Sequence, residues 1–235
     1  MAKTKEQLLN ILDQFQLDEK VVSAEPFGNG HINDTLKVTN EKGEIKYVLQ
    51  RINHLIFTNV DMLQNNIHVV TTHIRKKLEE KGETDIDRKV LTFLPTKDGK
   101  KYYFDGDSYW RICLFIPRSK SYEEVTPELS YEAGKAFGDF QTMLSDIPEG
   151  TLGETSPDFH NMEFRLRQFH EAVAANPAGR LEEVKDLVEE IEKRAEAMCI
   201  QERLYREGQL KKRTNHCDTK VNNMISWGNG YENID

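Results

Sequence analysis

Strand-like stretches crowd the front of this chain and helical ones fill the back, and that segregation restricts the fold more than any other feature. Residues 4–17 read as a first helix, with Thr4 and Gln7 as a capping box and Leu8, Leu9, Ile11, Leu12 and Phe15 on one apolar face. Three strands follow, over 21–27, 35–39 and 45–52, separated by the sharp turn Gly28-Asn29-Gly30 and the hairpin turn at 41–44. A long helix over 58–80 carries Val60, Leu63, Ile67, Val70, Ile74 and Leu78 at spacings of three and four, and Gly82 ends it. Two or three short strands over 90–94, 101–104 and 109–116 complete the front. Past Pro117 the pattern turns helical. Thr126-Pro127 caps a helix through Leu144, another runs over 158–173, and a long charged one covers 181–206. A single amphipathic helix is the simple reading of that last stretch, and a short coiled coil is the alternative. Strands first and helices after imply an α+β architecture of two lobes, 1–116 and 117–235.

Composition narrows the partners. A net charge of −8 repels phosphate backbones and anionic lipid, so nucleic acid and membrane surfaces are poor candidates. No apolar run approaches the ~20 residues that span a bilayer. Cys113, Cys199 and Cys217 are odd in number and scattered, which fits neither a disulfide framework nor a CxxC metal site. The start of the chain leads into an amphipathic stretch rather than a signal peptide, so a reducing cytoplasm is the default compartment.

The most informative stretch is Asn215-His216-Cys217-Asp218-Thr219-Lys220-Val221-Asn222-Asn223, which contains H-x-D-x-K-x-x-N. Phosphoryl transfer requires few parts, and one short loop can supply three of them. Asp218 fits the carboxylate that orients an attacking hydroxyl and accepts its proton. Asn223 fits a side-chain oxygen that holds Mg²⁺ against nucleotide phosphates. Lys220 fits a cation that offsets charge on the transferring phosphoryl group. His216 is read as a brace for the loop. A second metal ligand is expected soon afterwards. Residues 224–227 read as a strand, 228–230 as a hairpin turn and 231–234 as the returning strand, which places Asp235 in that role.

At the front, Gly28-Asn29-Gly30 lies where a glycine turn lets backbone N–H groups approach phosphates, although a plain hairpin turn reads the same way. The third strand is expected to carry a phosphate-binding lysine. It reads Tyr47-Val48-Leu49-Gln50-Arg51-Ile52 and has none. Gln50 and Arg51 are the candidates, and strand alternation sends them to opposite faces.

These residues resemble the aminoglycoside-phosphotransferase-like small-molecule kinases and, within them, the N-acetylhexosamine 1-kinases. The resemblance is carried by 28–35 (GNGHINDT), 47–53 (YVLQRIN), Trp110-Arg111 and 216–223, and it covers nearly the whole chain. It implies the protein-kinase-like bilobal fold and ATP-dependent phosphorylation of the anomeric hydroxyl of N-acetylglucosamine or N-acetylgalactosamine. Asp218 is then the general base, and Asn223 and Asp235 hold Mg²⁺. Phe115, Ile116 and Pro117 form the hinge beside the adenine, and His31 and Asp34 sit at the lip of the sugar pocket. Family members continue with further helices beyond the point matching Asp235, so the helical lobe is expected to be partial here.

Two other readings compete: a kinase of this fold acting on choline or an aminoglycoside, and a nucleotide-binding lobe without catalysis. The absent lysine favours the second and the Asp218/Lys220/Asn223 set opposes it. Hydrolase motifs are missing: there is no G-x-S-x-G elbow and no H-E-x-x-H pair.

Overall fold

In the computed structural model, the residues described are 3–28, 32–122, 124–223 and 226–227. They fall into two compact units, Met1–Thr155 together with Thr214–Asp235, and Ser156–Arg213.

In the first unit, the capping box forms as the sequence indicates. Thr4 Oγ1 accepts from the Gln7 N–H and Gln7 Oε1 accepts from the Thr4 N–H, which starts helix α1 (Lys5–Leu12). The helix stops short of residue 17 because the backbone beyond it finds other partners. Gln16 N donates to Pro95 O and Lys97 N donates to Gln14 O, so 14–16 runs as an extended bridge against 95–97.

The sheet is antiparallel throughout, in the order β1 (Val21–Pro26), β2 (Asp34–Asn40), β3 (Ile45–Ile52), β6 (Tyr109–Leu114), β4 (Phe93–Leu94), with β5 (Tyr103–Phe104) also paired to β6. Asn40 makes the β2–β3 turn. Its Oδ1 accepts from the N–H groups of Lys42 and Glu44, while Gly43 supplies the positive φ of 80°. Strand β4 is shorter than the pattern predicts. A 3₁₀ turn at Ile86–Arg88 occupies the approach, held by Asp87, which accepts from Thr92 and Arg75.

Register fixes the two faces of the sheet. Leu36 faces Leu49 and Leu49 faces Ile112, while Thr35 faces Gln50 and Gln50 faces Arg111. On the first face, Val38, Tyr47, Leu49, Trp110 and Ile112 bury against Leu8, Ile11 and Leu12 of α1 and against Phe15. Leu12, Leu49 and Ile112 are fully enclosed, and each such side chain contributes about 1.5–3 kcal/mol of transfer free energy. The opposite face carries Thr35, Gln50 and Arg111.

Helix α2 (Val60–Glu80) is capped by Asn59, whose Oδ1 accepts from Met62 N, and it ends at Gly82 with φ 71°. Helix α3 (Pro127–Leu144) starts at the Thr126 cap with proline in its first turn, as predicted. Ile74 and Leu78 of α2 meet Val90 and Leu144 in a second core. Asp146 ties the two helices by accepting from His73 and Lys77. Asn66 of α2 clamps Gly153 through both its N–H and its C=O, at 2.9 and 2.6 Å. A two-stranded ribbon, β7 (Ser119–Lys120) with β8 (Ser226–Trp227), joins the segment after β6 to the segment after residues 215–223.

The second unit is helical: α4 (Met162–Ala175), a 3₁₀ turn at Leu181–Val184, α5 (Lys185–Met198) and α6 (Ile200–Arg206). The single helix expected over 181–206 is therefore broken. At Cys199 the N–H closes on Glu196 O, a tight i→i−3 bond, where cysteine and β-branched Ile200 are weak helix formers. Arg206 of α6 grips Glu163 of α4 with two hydrogen bonds of 2.8 and 2.7 Å.

Candidate active site

The second face of the sheet carries a polar ladder. Gln50 Nε2 donates to Thr35 Oγ1 at 3.1 Å, and Arg111 Nε donates to Gln50 Oε1 at 3.0 Å, across three neighbouring strands. Arg111 lies over the Phe93 ring, 5.4 Å from its centroid. Its Nη1 is enclosed and has no hydrogen-bond partner among the described residues. Burial pulls its pKa below the ordinary arginine value, yet a guanidinium stays charged in a protein. Cys113, two residues on, has its thiol pushed up to about 11 by burial and is inert at neutral pH.

Arg51 lies on the other face. It pairs with Asp34, directly across the β2–β3 ladder, and both line a cavity of about 580 Å³ beside α1 together with Lys3, Lys5, Gly28 and Trp110. Gln50 and Arg51 are thus separated by the sheet, as alternation requires. Gly28 has φ 76°, a conformation that favours glycine. Asn29, Gly30 and His31 lie outside the described residues.

The segment after β6 is fixed by its backbone. Phe115 N donates to Lys46 O, Ile116 O accepts from Ser119 Oγ at 2.6 Å, and Pro117 O accepts from Arg88. The Phe115 ring meets Phe27 edge-on at 6.0 Å, which brings the residue before the Gly28 turn against the start of this segment.

The loop at 215–223 returns to the first unit and docks on α3. His216 sits edge-on to Phe137 and Phe140, at 5.3 and 5.6 Å, and Gln141 Nε2 donates to Asn215 Oδ1. This contact agrees with a bracing role. Cys217 adopts φ 65°, a left-handed conformation that asparagine tolerates better. Its thiol is pushed up by burial, opposite to what a nucleophile requires. Asp218 is exposed. Asn223, at the end of a 3₁₀ turn over Val221–Asn223, donates from Nδ2 both to Asp218 O and to Asp218 Oδ2, each at 2.8 Å. Lys220 Nζ stands 3.8 Å from Asp218 Oδ1. The structure therefore brings Asp218, Lys220 and Asn223 together. With its amide nitrogen committed to Asp218, Asn223 has Oδ1 as the atom able to face a cation. Asp235 lies outside the described residues. Among the described residues no group of three or more His, Cys, Asp or Glu forms a metal cage. A Mg²⁺ site that borrows ligands from phosphates and water does not require one.

The sequence reading gave Arg111 no role. Its signal was an arginine at an interior position of an otherwise apolar and aromatic strand, where a charge requires a partner.

A family model described as a phosphotransferase enzyme family matches residues 23–231, from the first strand through the loop. The chain belongs to this phosphotransferase family. Among solved structures it is similar to a spectinomycin phosphotransferase crystallised with ADP and spectinomycin. The TM-score is 0.58 at 13% identity, over 98% of this chain and 67% of that one. That similarity shows the kinase-like α+β fold, with an antiparallel sheet followed by helices. Among the described residues no helix is long and apolar enough to cross a membrane.

Proposed function

We propose that this member of the phosphotransferase family is an ATP-dependent small-molecule kinase that phosphorylates the anomeric hydroxyl of an N-acetylhexosamine. The observation that carries the kinase part is the Asp218–Asn223 pair, with Lys220 beside it. The hexosamine part rests on the resemblance of 28–35 and 47–53 to the N-acetylhexosamine 1-kinases. In this reading 1–116 forms the nucleotide lobe, and the helical lobe begins at 117 and carries the catalytic loop. The free cysteines Cys113, Cys199 and Cys217 fit a reducing cytoplasm.

Asp218 orients the sugar hydroxyl and takes its proton at a carboxylate oxygen as the phosphoryl group departs from ATP. The two hydrogen bonds from Asn223 hold that carboxylate in place. Lys220, 3.8 Å from Asp218 Oδ1, attracts the phosphoryl oxygens. Bound magnesium supplies charge neutralisation of the phosphates, and Asn223 through Oδ1 and Asp235 are the residues to hold it. Gly28, Asn29 and Gly30 are assigned to the phosphates, Phe115 and Ile116 to the adenine, and His31 and Asp34 to the sugar. Gln50, on the sheet face opposite α1, is assigned to the nucleotide. Arg51 is on the α1 face.

A second reading, a kinase of the same fold acting on a choline- or aminoglycoside-type hydroxyl, is favoured by the fold shared with the spectinomycin phosphotransferase. Phosphorus NMR with ATP, Mg²⁺ and either N-acetylhexosamine decides between them. An anomeric phosphate signal that disappears in Asp218→Asn supports the 1-kinase. Product formed only when spectinomycin or choline replaces the hexosamine supports the second reading.

A further inference from the structure

The strands of the six-stranded sheet carry four cations. Lys37 meets Glu25, Lys46 meets Glu19 and Glu44, and Arg51 meets Asp34. Arg111 meets no carboxylate among the described residues. It is held by Gln50 at Nε and by the Phe93 ring, and its enclosed Nη1 has no hydrogen-bond partner there. Enclosing a charge without a counter-charge is costly, so such a group points to an anion supplied from outside.

Its position identifies the anion. Arg111 shares the sheet face of Gln50, opposite α1, and neighbours the strand on which a lysine was expected. Along β6 and into the following segment, Arg111 precedes Phe115 by four residues, about 13 Å at ~3.3 Å per residue. That is the scale of the separation between the base and the phosphates of an extended nucleotide, with the base at Phe115–Ile116. With Nε tied to Gln50 the guanidinium plane is fixed and Nη1 is left to donate, and a planar guanidinium suits phosphate oxygens better than a single ammonium does.

We infer that Arg111, oriented by Gln50, is the sheet residue that binds the phosphates of the nucleotide, in place of the missing lysine on the neighbouring strand. Gln50 is then a positioning residue and Arg51 is uninvolved. The inference rests on the kinase reading, and the two can fail separately.

The test is calorimetric titration of the full chain with adenosine, ADP and ATP, each nucleotide with Mg²⁺, on the parent and on Arg111→Met, Arg111→Lys and Arg51→Met. Arg111→Met should weaken ADP and ATP by tenfold or more and leave adenosine within twofold. Arg111→Lys should recover part of the loss, and Arg51→Met should match the parent. Thermal melts of the unliganded proteins accompany the titrations, and Arg111→Met should melt no lower than the parent. An Arg111→Met protein that binds ADP and ATP normally, or loses adenosine equally, overturns the inference and moves the counter-charge to a carboxylate outside the described residues. Should Arg111→Met fail to fold, Arg111→Lys at parental affinity with Arg51→Met weakened also overturns it. A parent chain that binds none of the three ligands instead overturns the kinase reading itself.

Discussion

Asn223 holds Asp218 twice, at the backbone carbonyl and at Oδ2, each through Nδ2 at 2.8 Å. One amide thus sets the direction of the carboxylate and the curvature of the loop that bears it. The relationship separates two kinds of damage. Asn223→Ala should lower kcat by about 10²-fold or more and raise the Mg²⁺ concentration needed for half-maximal rate. The thermal melt should stay within about 1 °C, because the pair is exposed and exposed polar contacts contribute little to stability. Steady-state kinetics across a Mg²⁺ series measures the first effect and a melt the second.

Asp218→Asn keeps the shape and removes the proposed base. We expect turnover to fall by about 10²- to 10⁴-fold, the usual contribution of a positioned proton acceptor. ADP affinity should remain within about twofold of the parent. Undiminished turnover in this variant would remove Asp218 from its assigned role.

Leu49 is fully enclosed between α1 and the sheet, with Val38, Tyr47 and Ile112 around it. Leu49→Ala should cost about 2–5 kcal/mol. The melting temperature should fall by several degrees, at roughly 2–4 °C per kcal/mol for a chain of this size. A loss below about 1 kcal/mol by urea unfolding would mean that the site collapses around the cavity.

Acid stability should depend on Asp105. Burial raises its pKa, but hydrogen bonds from Lys3, from the Ser108 and Asp107 N–H groups and from Trp110 Nε1 outweigh burial and hold it at about 2. A carboxyl depressed by folding stabilises the native state above its unfolded value, ~3.9. That stabilisation is lost as pH falls toward 2. Asp105→Asn should therefore lower stability at neutral pH and flatten the decline between about pH 4 and pH 2. Urea midpoints across that range provide the measurement.

Much of this fold could be read from local chemistry. The Thr4–Gln7 box, the Thr126-Pro127 start and the β3 limits at Ile45 and Ile52 all depend on neighbours within a few residues. What escaped the sequence depends on distant ones. Helix α1 is cut short by 95–97, and β4 is trimmed by contacts of Asp87 with Arg75 and Thr92. The site divides in the same way. Asp218, Lys220 and Asn223 sit within six residues and were legible together. The Thr35–Gln50–Arg111 ladder exists only once three strands have found their register. Alternation along one strand separates Gln50 from Arg51, but it does not reveal which arginine of a neighbouring strand will stand beside Gln50.

The first unit is built from two stretches of chain, with 156–213 as an excursion between them. During synthesis, the sheet, α1, α2 and α3 emerge and can close their cores before the segment that completes β7–β8 exists. The loop bearing Asp218 can then join α3 last, across a closure whose entropy grows only slowly with the length of the excursion. Lengthening or shortening the connections at either end of 156–213 should therefore be tolerated far better than any change in where 214–223 lands. The excursion is a natural place for evolution, or a protein engineer, to change the chain without dismantling how the first unit assembles.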